Sequence, residues 1–356
     1  MSAPDRMSAG AVWAALGAAS LWGTTGTAQA LGPDASDPTQ VGALRILVGA
    51  LALVLLAGTT LWRRPGATRM ARAVLGSLPK PVLVMAGGLA VAAYQVCFFV
   101  GVQRSGVAVG TVVALGVAPL ATGLLGIALG EWVTVRWAVS TLAAVAGVVL
   151  LVVGQTSGSG DSTDAFGLLA AVGAGVSYAG YTIAARALIL QGESGIRVMA
   201  LLFVVGALAL VPVLLGADLS WLWTARGLGM VLWLGLVATG LAYVLFQRGL
   251  SGLPAGSVAT LSLAEPVTAT ALGVAVLGER PGLLTGVGML VVVLGLLLMA
   301  AGGPRPQRPG SARNRPRGLR RRGLRSRGLR SRGSRSAGDP PRRPRDSAAR
   351  PLDGPG

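Results

Sequence analysis

Ten strongly apolar stretches alternate with short polar segments along this chain of 356 residues. A stretch of roughly 20 apolar residues can cross the hydrocarbon core of a bilayer as an α-helix. The pattern therefore predicts an all-α integral membrane protein with ten transmembrane helices. The predicted spans are about 9–30, 39–61, 80–101, 106–129, 135–154, 164–188, 196–216, 227–248, 255–277 and 281–301.

Two of the apolar segments have nearly the same sequence plan. Residues 107–131 and 254–279 each contain a central proline, Pro119 or Pro266, and each ends on Leu-Gly-Glu. A proline inside a helix removes one hydrogen bond and weakens the helix locally. We therefore predict a helix break at both prolines.

Other segments repeat in the same order. Residues 14–30 align with 170–186, and the sequence Gly-Ala-Leu-Ala-Leu-Val at 49–54 recurs at 206–211. The repeating unit is five spans. Because five is odd, the two copies must lie in opposite orientations, which is the inverted repeat typical of secondary transporters.

The repeat predicts how the chain is divided. We expect a first five-helix repeat at 9–154, a Gly- and Ser-rich linker at 155–163, and a second five-helix repeat at 164–301. Residues 304–356 form a separate Arg-rich tail.

Charge predicts the orientation in the membrane. With the N-terminus inside, ten basic residues fall on the cytoplasmic side and three on the outer side. The inner ones are Arg6, Arg63, Arg64, Arg69, Arg72, Lys80, Arg136, Arg186, Arg197 and Arg248, and the outer ones are Arg104, Arg226 and Arg280. The positive-inside rule then places both termini in the cytoplasm. We expect the plasma membrane as the location of the protein.

Composition excludes several kinds of protein. The chain is 53% hydrophobic and 12% charged, has no histidine, and contains a single cysteine, Cys97. Catalytic sites that need histidine, most zinc sites and thiolate metal clusters are therefore excluded. We expect neither an enzyme nor a cofactor.

Glu265 is the sharpest candidate for function. It lies about ten residues into the ninth span, directly before Pro266. An ionisable group at this depth is costly unless it is paired or hydrated, and it marks a functional site by default. Glu265 is thus a candidate proton carrier, with a structural glutamate bonded to a neighbouring helix as the alternative. Its counterpart in the first repeat is Ala118.

Arg45 lies early in the second span and has no charged counterpart in the second repeat. Three roles fit it: an ion pair with Asp34 or Asp37, contact with an anionic substrate, or a side chain that extends to the outer interface. Of these, the interfacial position or the ion pair is favoured.

All four tyrosines fall inside predicted spans, whereas membrane tyrosines usually lie at the interfaces. Together with a tryptophan and two glutamines they are candidates for the wall of a central pocket, where ring faces would bind an organic solute. The alternative is hydrogen bonding between helices. These residues are Trp22, Tyr94, Gln95, Tyr178, Tyr181, Tyr243 and Gln247.

Glu131 and Glu279 close the two Leu-Gly-Glu segments. Because both fall at span ends, we expect them to have a structural role. They would terminate helices and form interfacial ion pairs, with Arg136 and Arg280 as possible partners.

The C-terminal tail differs from the rest of the chain in composition and charge. Residues 304–356 contain 17 arginines and three aspartates and account for +14 of the net charge of +18. A five-residue repeat at 317–336 fits neither a helix nor a strand, so we expect disorder. Arginines near an anionic leaflet are attracted to its headgroups. We expect either a solvated extension or contact with lipid headgroups, and no nucleic-acid partner.

The chain resembles the EamA-type carriers of the drug/metabolite transporter superfamily. The matching features are Leu21-Trp22-Gly23, Arg45, Pro119 followed by Leu129-Gly130-Glu131, and Leu263-Ala264-Glu265-Pro266 followed by Leu277-Gly278-Glu279-Arg280. The resemblance implies ten helices in two inverted repeats, a central cavity lined by both, and export of metabolites, amino acids or drugs.

The sequence therefore favours a secondary transporter that moves a small organic solute, with coupling to protons through Glu265 as a hypothesis. The alternative is a membrane receptor or tethering module that acts through its basic tail. A membrane-embedded enzyme is disfavoured because no nucleophile and base are paired in the sequence.

Overall fold

The structure is a computed structural model, and it describes residues 9–59, 78–155 and 164–301. All of these residues belong to one compact unit. Residues 156–163 of the predicted linker and the whole predicted tail, 304–356, lie outside the described residues. So do the inner-loop arginines at 63, 64, 69 and 72.

The described residues form helices and connecting turns and contain no strand, which confirms the all-α class for this part of the chain. The first part contains α1 (Ala9–Ala30), α2 (Pro38–Thr59), α3 (Lys80–Ile127) and α4 (Val135–Gln155). The second part contains α5 (Ala165–Leu190), α6 (Gly195–Leu214), a 3₁₀ turn (Ser220–Trp223), α7 (Ala225–Leu232), a π-helical segment (Trp233–Leu241), α8 (Ala242–Gly252), α9 (Ala255–Leu261), α10 (Ala264–Leu277) and α11 (Leu283–Ala300).

Eight helices in the described ranges are long and apolar enough to cross a membrane. This number is lower than the predicted ten for two reasons. α1 is not among the eight, and α3, which covers two predicted spans, is counted once. Large apolar side chains cover the outside of the bundle, as expected for contact with lipid; Leu55, Leu124 and Leu208 are each more than 60% exposed. The protein is a multi-pass membrane protein, while the number of ten stays a prediction.

The 48-residue α3 changes direction at Gly106, which has φ 79° and ψ 154°. Positive φ is strained for any residue with a side chain, so glycine is required at this turn. The segments on either side then fold onto each other, since a Cβ atom at Gly110 would lie 2.9 Å from the Cα atom of Val102. The predicted spans 80–101 and 106–129 are these two segments.

Helices from the first sequence half pack mainly on helices from the second half. α1 packs on α8 and α10, and α2 packs on α6 and the π-helical segment. α3 packs chiefly on α5, and α4 packs on α11. Folding therefore interleaves the two halves instead of forming two separate bundles.

Glycines allow a close contact between α4 and α11. A Cβ atom at Gly147 would lie 2.6 Å from the backbone nitrogen of Val292, and one at Gly288 would overlap the backbone nitrogen of Leu151. Small residues at such positions let helix backbones approach closely in a membrane, where packing is the main source of association energy.

Glu131 forms a buried ion pair with Arg186 of α5, with 2.9 Å between Oε1 and Nε. Its second carboxylate oxygen accepts a hydrogen bond of 2.8 Å from the backbone N–H of Ala255, and Arg186 also donates to the carbonyl of Leu250. The pairing with Arg136 suggested by the sequence is wrong. Arg136 instead donates to the backbone carbonyl of Met299.

The second Leu-Gly-Glu segment ends its helix in a similar way. Gly278 terminates α10 in the left-handed conformation, with φ 70°, and Gly130 has φ 77° after α3. The carboxylate of Glu279 lies against Gly273, just as that of Glu131 lies against Gly126. Within the described ranges, however, Glu279 forms no ion pair, with Arg280 or with another residue.

The helix break predicted at Pro119 is absent from the structure. The helix continues through this proline, because Gly106 is the position inside α3 with non-helical backbone angles. Pro119 lacks the N–H that would donate to the carbonyl of Leu115, so the helix continues at the cost of that one hydrogen bond.

We expect the substitution Gly288→Ala to lower the free energy of unfolding by about 1–3 kcal/mol, because the new methyl group meets backbone that cannot rotate away. Gly286→Ala is the matched control on the same helix, since a Cβ atom there meets open space. It should leave stability unchanged or raise it by up to about 1 kcal/mol. Unfolding of the purified protein in mixed detergent micelles measures both, and equal effects would contradict the packing described.

Replacing Glu131 with Gln should destabilise the protein by about 3–5 kcal/mol, because it leaves the buried Arg186 guanidinium without its counter-charge. Glu193→Gln makes the same chemical change in the ion pair of Glu193 with Lys80, whose side chains are 32% and 50% exposed. This control should cost about 0–1 kcal/mol. The same unfolding assay compares them, and a Glu131→Gln effect as small as the control would contradict a structural role.

Candidate functional site

A small cavity lies inside the bundle where helices of both sequence halves meet. Its volume is about 40 Å³, which is room for water molecules, at roughly 10–15 Å³ each on this measure. It is lined by Trp22, Arg45, Tyr94, Leu115, Ala118, Pro119, Tyr178, Tyr181, Tyr243, Ala259, Ser262, Leu263 and Glu265. We call it the central cavity.

An interruption between two helices places Glu265 at the cavity. α9 ends at Leu261 and α10 begins at Ala264. Pro266 has no N–H to donate to the carbonyl of Ser262, which instead accepts a hydrogen bond of 3.0 Å from the N–H of Glu265. The break predicted at Pro266 is therefore present, at the residues just before the proline.

The break also gives Glu265 a favourable backbone environment. It lies in the first turn of α10, where the helix dipole favours a negative charge. Its carboxylate has no hydrogen-bond or ion-pair partner among the residues that the structure describes. A charged or protonatable oxygen thus faces the central cavity and is available to a ligand or to water.

α1 approaches this point through the Leu-Trp-Gly motif. A Cβ atom at Gly23 would lie 2.7 Å from the backbone oxygen of Glu265 and 2.7 Å from the Cβ atom of Thr268. No larger residue fits without displacing α10. The glycine lets the neighbouring Trp22, which is buried, form part of the cavity wall.

Arg45 also faces the central cavity, so neither the interfacial position nor the pairing with Asp34 or Asp37 is what the structure contains. One guanidinium nitrogen, Nη2, donates to Oε1 of Gln95 at 3.1 Å, while Nε is buried without a partner. Asp37 instead accepts hydrogen bonds from the N–H groups of Thr39 and Gln40 at the start of α2.

Gln95 holds Arg45 and does not itself line the cavity. Its Nε2 donates to the carbonyl of Gly42 at 3.1 Å, which fixes the amide orientation and turns Oε1 toward Arg45. Arg45 and Glu265 therefore share one cavity but form no ion pair within 4.0 Å in the described part of the chain.

Hydroxyl groups of three tyrosines and one serine form two hydrogen-bonded pairs in the wall. Tyr178 and Ser262 are 2.8 Å apart, and the Ser262 hydroxyl is 3.1 Å from the carbonyl of Val258. Since serine has one proton and donates it to that carbonyl, Tyr178 is the donor in the pair. Tyr181 and Tyr243 form the other pair, at 3.2 Å.

The aromatic rings contact each other around the same cavity. Ring centroids are 5.1 Å apart for Tyr178 and Tyr181, 5.2 Å for Trp22 and Tyr243, and 6.3 Å for Tyr94 and Tyr178. Such tilted and edge-to-face contacts are favourable for aromatic pairs. All four tyrosines and Trp22 thus form one continuous aromatic wall.

Gln247 does not belong to the central cavity. Its Nε2 donates to the carbonyl of Val244, within its own helix, and its Oε1 lies against Gly195 at the start of α6. It lies one turn beyond Tyr243 on the same helix face, so its side chain is beyond the end of the cavity and contacts α6 instead. The prediction that placed Gln247 in the pocket is wrong.

Sequence reasoning missed Ser262 and the small apolar residues of the wall. Ser262 lies four residues before Pro266, and this spacing was an available signal, because a proline leaves the carbonyl four residues earlier without its usual donor. Ala259 and Leu115 carry no such signal, since nothing distinguishes them from other apolar residues of a span. Within the described ranges no group of three or more His, Cys, Asp or Glu side chains could hold a metal ion.

Comparison with known proteins identifies the family of the chain. The model of the EamA-like transporter family matches residues 9–153 and again residues 165–301. An uncharacterized transporter of Bacillus subtilis (strain 168), YwfM, is 39% identical over 301 residues, which are 83% of this chain and 95% of that protein.

A solved crystal structure, described only as that of a protein, superposes with a TM-score of 0.64. It is 24% identical and covers 81% of this chain and 95% of its own. At this identity the likeness concerns the fold alone. The family match extends over nearly all of the described residues, and from it we conclude that the chain belongs to the EamA-like transporter family.

Proposed function

We propose that this protein is a secondary transporter that carries a small organic solute through the central cavity, that it works in the direction of export across the plasma membrane, and that Glu265 couples transport to protons. Membership of a transporter family and the membrane-crossing helices support transport in general. The free carboxylate of Glu265 inside the cavity is the observation that carries the specific proposal.

The size of the cavity supports a cycle of opening and closing. Pockets for organic ligands usually have volumes of about 300–1,000 Å³, whereas the central cavity has about 40 Å³. A solute therefore needs the wall to move apart. The break at Ser262–Leu263 is a natural hinge, because it separates α9 from α10 directly beside Glu265.

We further propose that the chain crosses the membrane ten times as two inverted five-helix repeats. Three observations support this: the family model matches twice in succession, α3 reverses at Gly106, and Ala118 and Glu265, which occupy equivalent places in the repeat, both line the central cavity. In this arrangement α1 and the two segments of α3 are three of the ten spans, and both termini are cytoplasmic.

The proposed role of the tail rests on its amino-acid composition alone. Its arginines would be attracted to anionic headgroups of the inner leaflet at about 1 kcal/mol each when close to the surface. No observation on the described residues favours the receptor or tethering function.

We expect Glu265→Gln to abolish transport driven by a pH gradient while solute binding is kept, because the amide keeps the shape of the side chain but cannot exchange a proton. Purified protein in proteoliposomes would be screened against amino acids, nucleosides and organic cations, with pyranine inside reporting the lumenal pH. Binding of any active solute would be followed by tryptophan fluorescence.

Glu193→Gln is the matched control, since it changes an exposed glutamate in the turn after α5. It should transport like the wild type. Proton-coupled flux that is the same in Glu265→Gln and in the wild type would refute the role of Glu265. If neither the wild type nor Glu265→Gln moves protons while the solute crosses, the protein is a uniporter or an exchanger.

The inverted repeat predicts that equivalent turns face opposite sides of the membrane. The turn between α1 and α2 contains the exposed Ala35, and the equivalent turn between α5 and α6 contains the part-exposed Ser194. In a Cys97→Ser background, a cysteine replacing Ala35 should react with a membrane-impermeant maleimide on intact cells. A cysteine replacing Ser194 should react only after permeabilisation. Labelling of both from the same side would exclude the inversion.

A further inference from the structure

A second cavity opens on the side of the bundle, away from the central cavity. It has a volume of about 390 Å³ and lies between the C-terminal end of α1, the first half of the continuous helix 225–252, and the C-terminal end of α10. Its wall includes Thr27, Leu31, Arg226, Met230, Trp233 and Leu272. We call it the lateral cavity.

The wall of the lateral cavity is fixed in place. Nε1 of Trp233 donates to the hydroxyl of Thr24 at 3.0 Å, and that hydroxyl donates to the carbonyl of Leu21 at 2.7 Å. The indole therefore joins the helix 225–252 to α1 across one side of the cavity. The volume falls in the range of about 300–1,000 Å³ that holds organic ligands.

The mouth of the cavity is at the ends of α1 and α10 and at the start of the helix 225–252, which is the depth expected for lipid headgroups. Trp223 and Trp233 are 82% and 46% exposed, and exposed tryptophans in membrane proteins are enriched at the membrane interface. Leu31, at the end of α1, is 58% exposed. A ligand that enters from this side comes from the bilayer, with an apolar part that fits the apolar wall.

The mouth also carries a positive charge without a partner. Arg226 is exposed and, among the residues that the structure describes, forms neither an ion pair nor a hydrogen bond. It lies in the first turn of α7, after a helix start capped by the Thr224 hydroxyl. The positive end of the helix dipole adds to its charge, and this combination favours an anionic group such as a phosphate.

We propose that the lateral cavity binds an anionic phospholipid, with one acyl chain in the cavity and the phosphate at Arg226. The bilayer supplies both parts in one molecule at the required depth. Gly229 leaves room for the chain, since a Cβ atom there would meet nothing within 4 Å. Because α1 and α10 line both cavities, the lipid would lie against the two helices that carry Trp22 and Glu265.

Native mass spectrometry of the detergent-purified full chain, titrated with dioleoyl phosphatidylglycerol or dioleoyl phosphatidylethanolamine, tests the proposal. The wild type should hold one phosphatidylglycerol more tightly than phosphatidylethanolamine. Arg226→Gln should weaken phosphatidylglycerol binding about fivefold, the loss of one charge contact near the surface. Gly229→Leu should remove this site, since the new side chain fills the cavity.

Matched controls exist for both substitutions. Arg248→Gln removes an exposed charge near the other end of the same helix, and Gly286→Leu adds a side chain at a glycine with open space on α11. Both should bind phosphatidylglycerol like the wild type. Equal weakening by Arg226→Gln and Arg248→Gln would mean that lipids follow general surface charge, and it would overturn the proposal.

Tight binding that Gly229→Leu leaves intact, with the variant unfolding at the wild-type temperature, would also overturn the proposal. If Gly229→Leu fails to fold, the comparison of the two arginine variants still decides. None of these outcomes depends on transport, so a failure here is distinct from a failure of the proposed function.

Discussion

Every polar group inside a membrane bundle needs a partner, since the bilayer core offers no water to replace one. The Glu131–Arg186 ion pair meets this requirement. Both carboxylate oxygens of Glu131 accept a hydrogen bond, one from Arg186 and one from the N–H of Ala255. The pair fixes the end of α3 to α5 and to the start of α9. Those helices carry Pro119, Tyr178 and Ala259 of the central cavity, so its wall depends on this contact.

The central cavity contains polar groups for which the same requirement is not met. Glu265 has no partner in the described part of the chain, and the Nε atom of Arg45 is buried without one. Such groups cost stability unless water or a ligand reaches them. Glu131 thus lies in a satisfied ion pair and Glu265 in a cavity with unsatisfied polar groups, although the two residues belong to the two copies of one repeated segment.

Sequence patterns predicted the features that depend on periodicity and on depth in the membrane. The apolar runs gave the helices to within a few residues, and the unusual depth of the four tyrosines and Glu265 placed them together correctly. Side-chain direction was harder. Gln247 follows Tyr243 by four residues yet faces Gly195, and Arg45 turns inward because Gln95 holds it. Contacts of this kind come from distant segments, so they carry no local signal.

The turn at Gly106 has a consequence for biogenesis. The segments on either side of it are joined by a single residue of non-helical conformation, and the polar residues Gln103, Arg104 and Ser105 before it lie within α3. Because the connection is this short, neither segment can move far from the other during insertion. We therefore expect the two to leave the ribosome and partition into the lipid together, as one hairpin whose close contact at Gly110 forms during insertion and not after it.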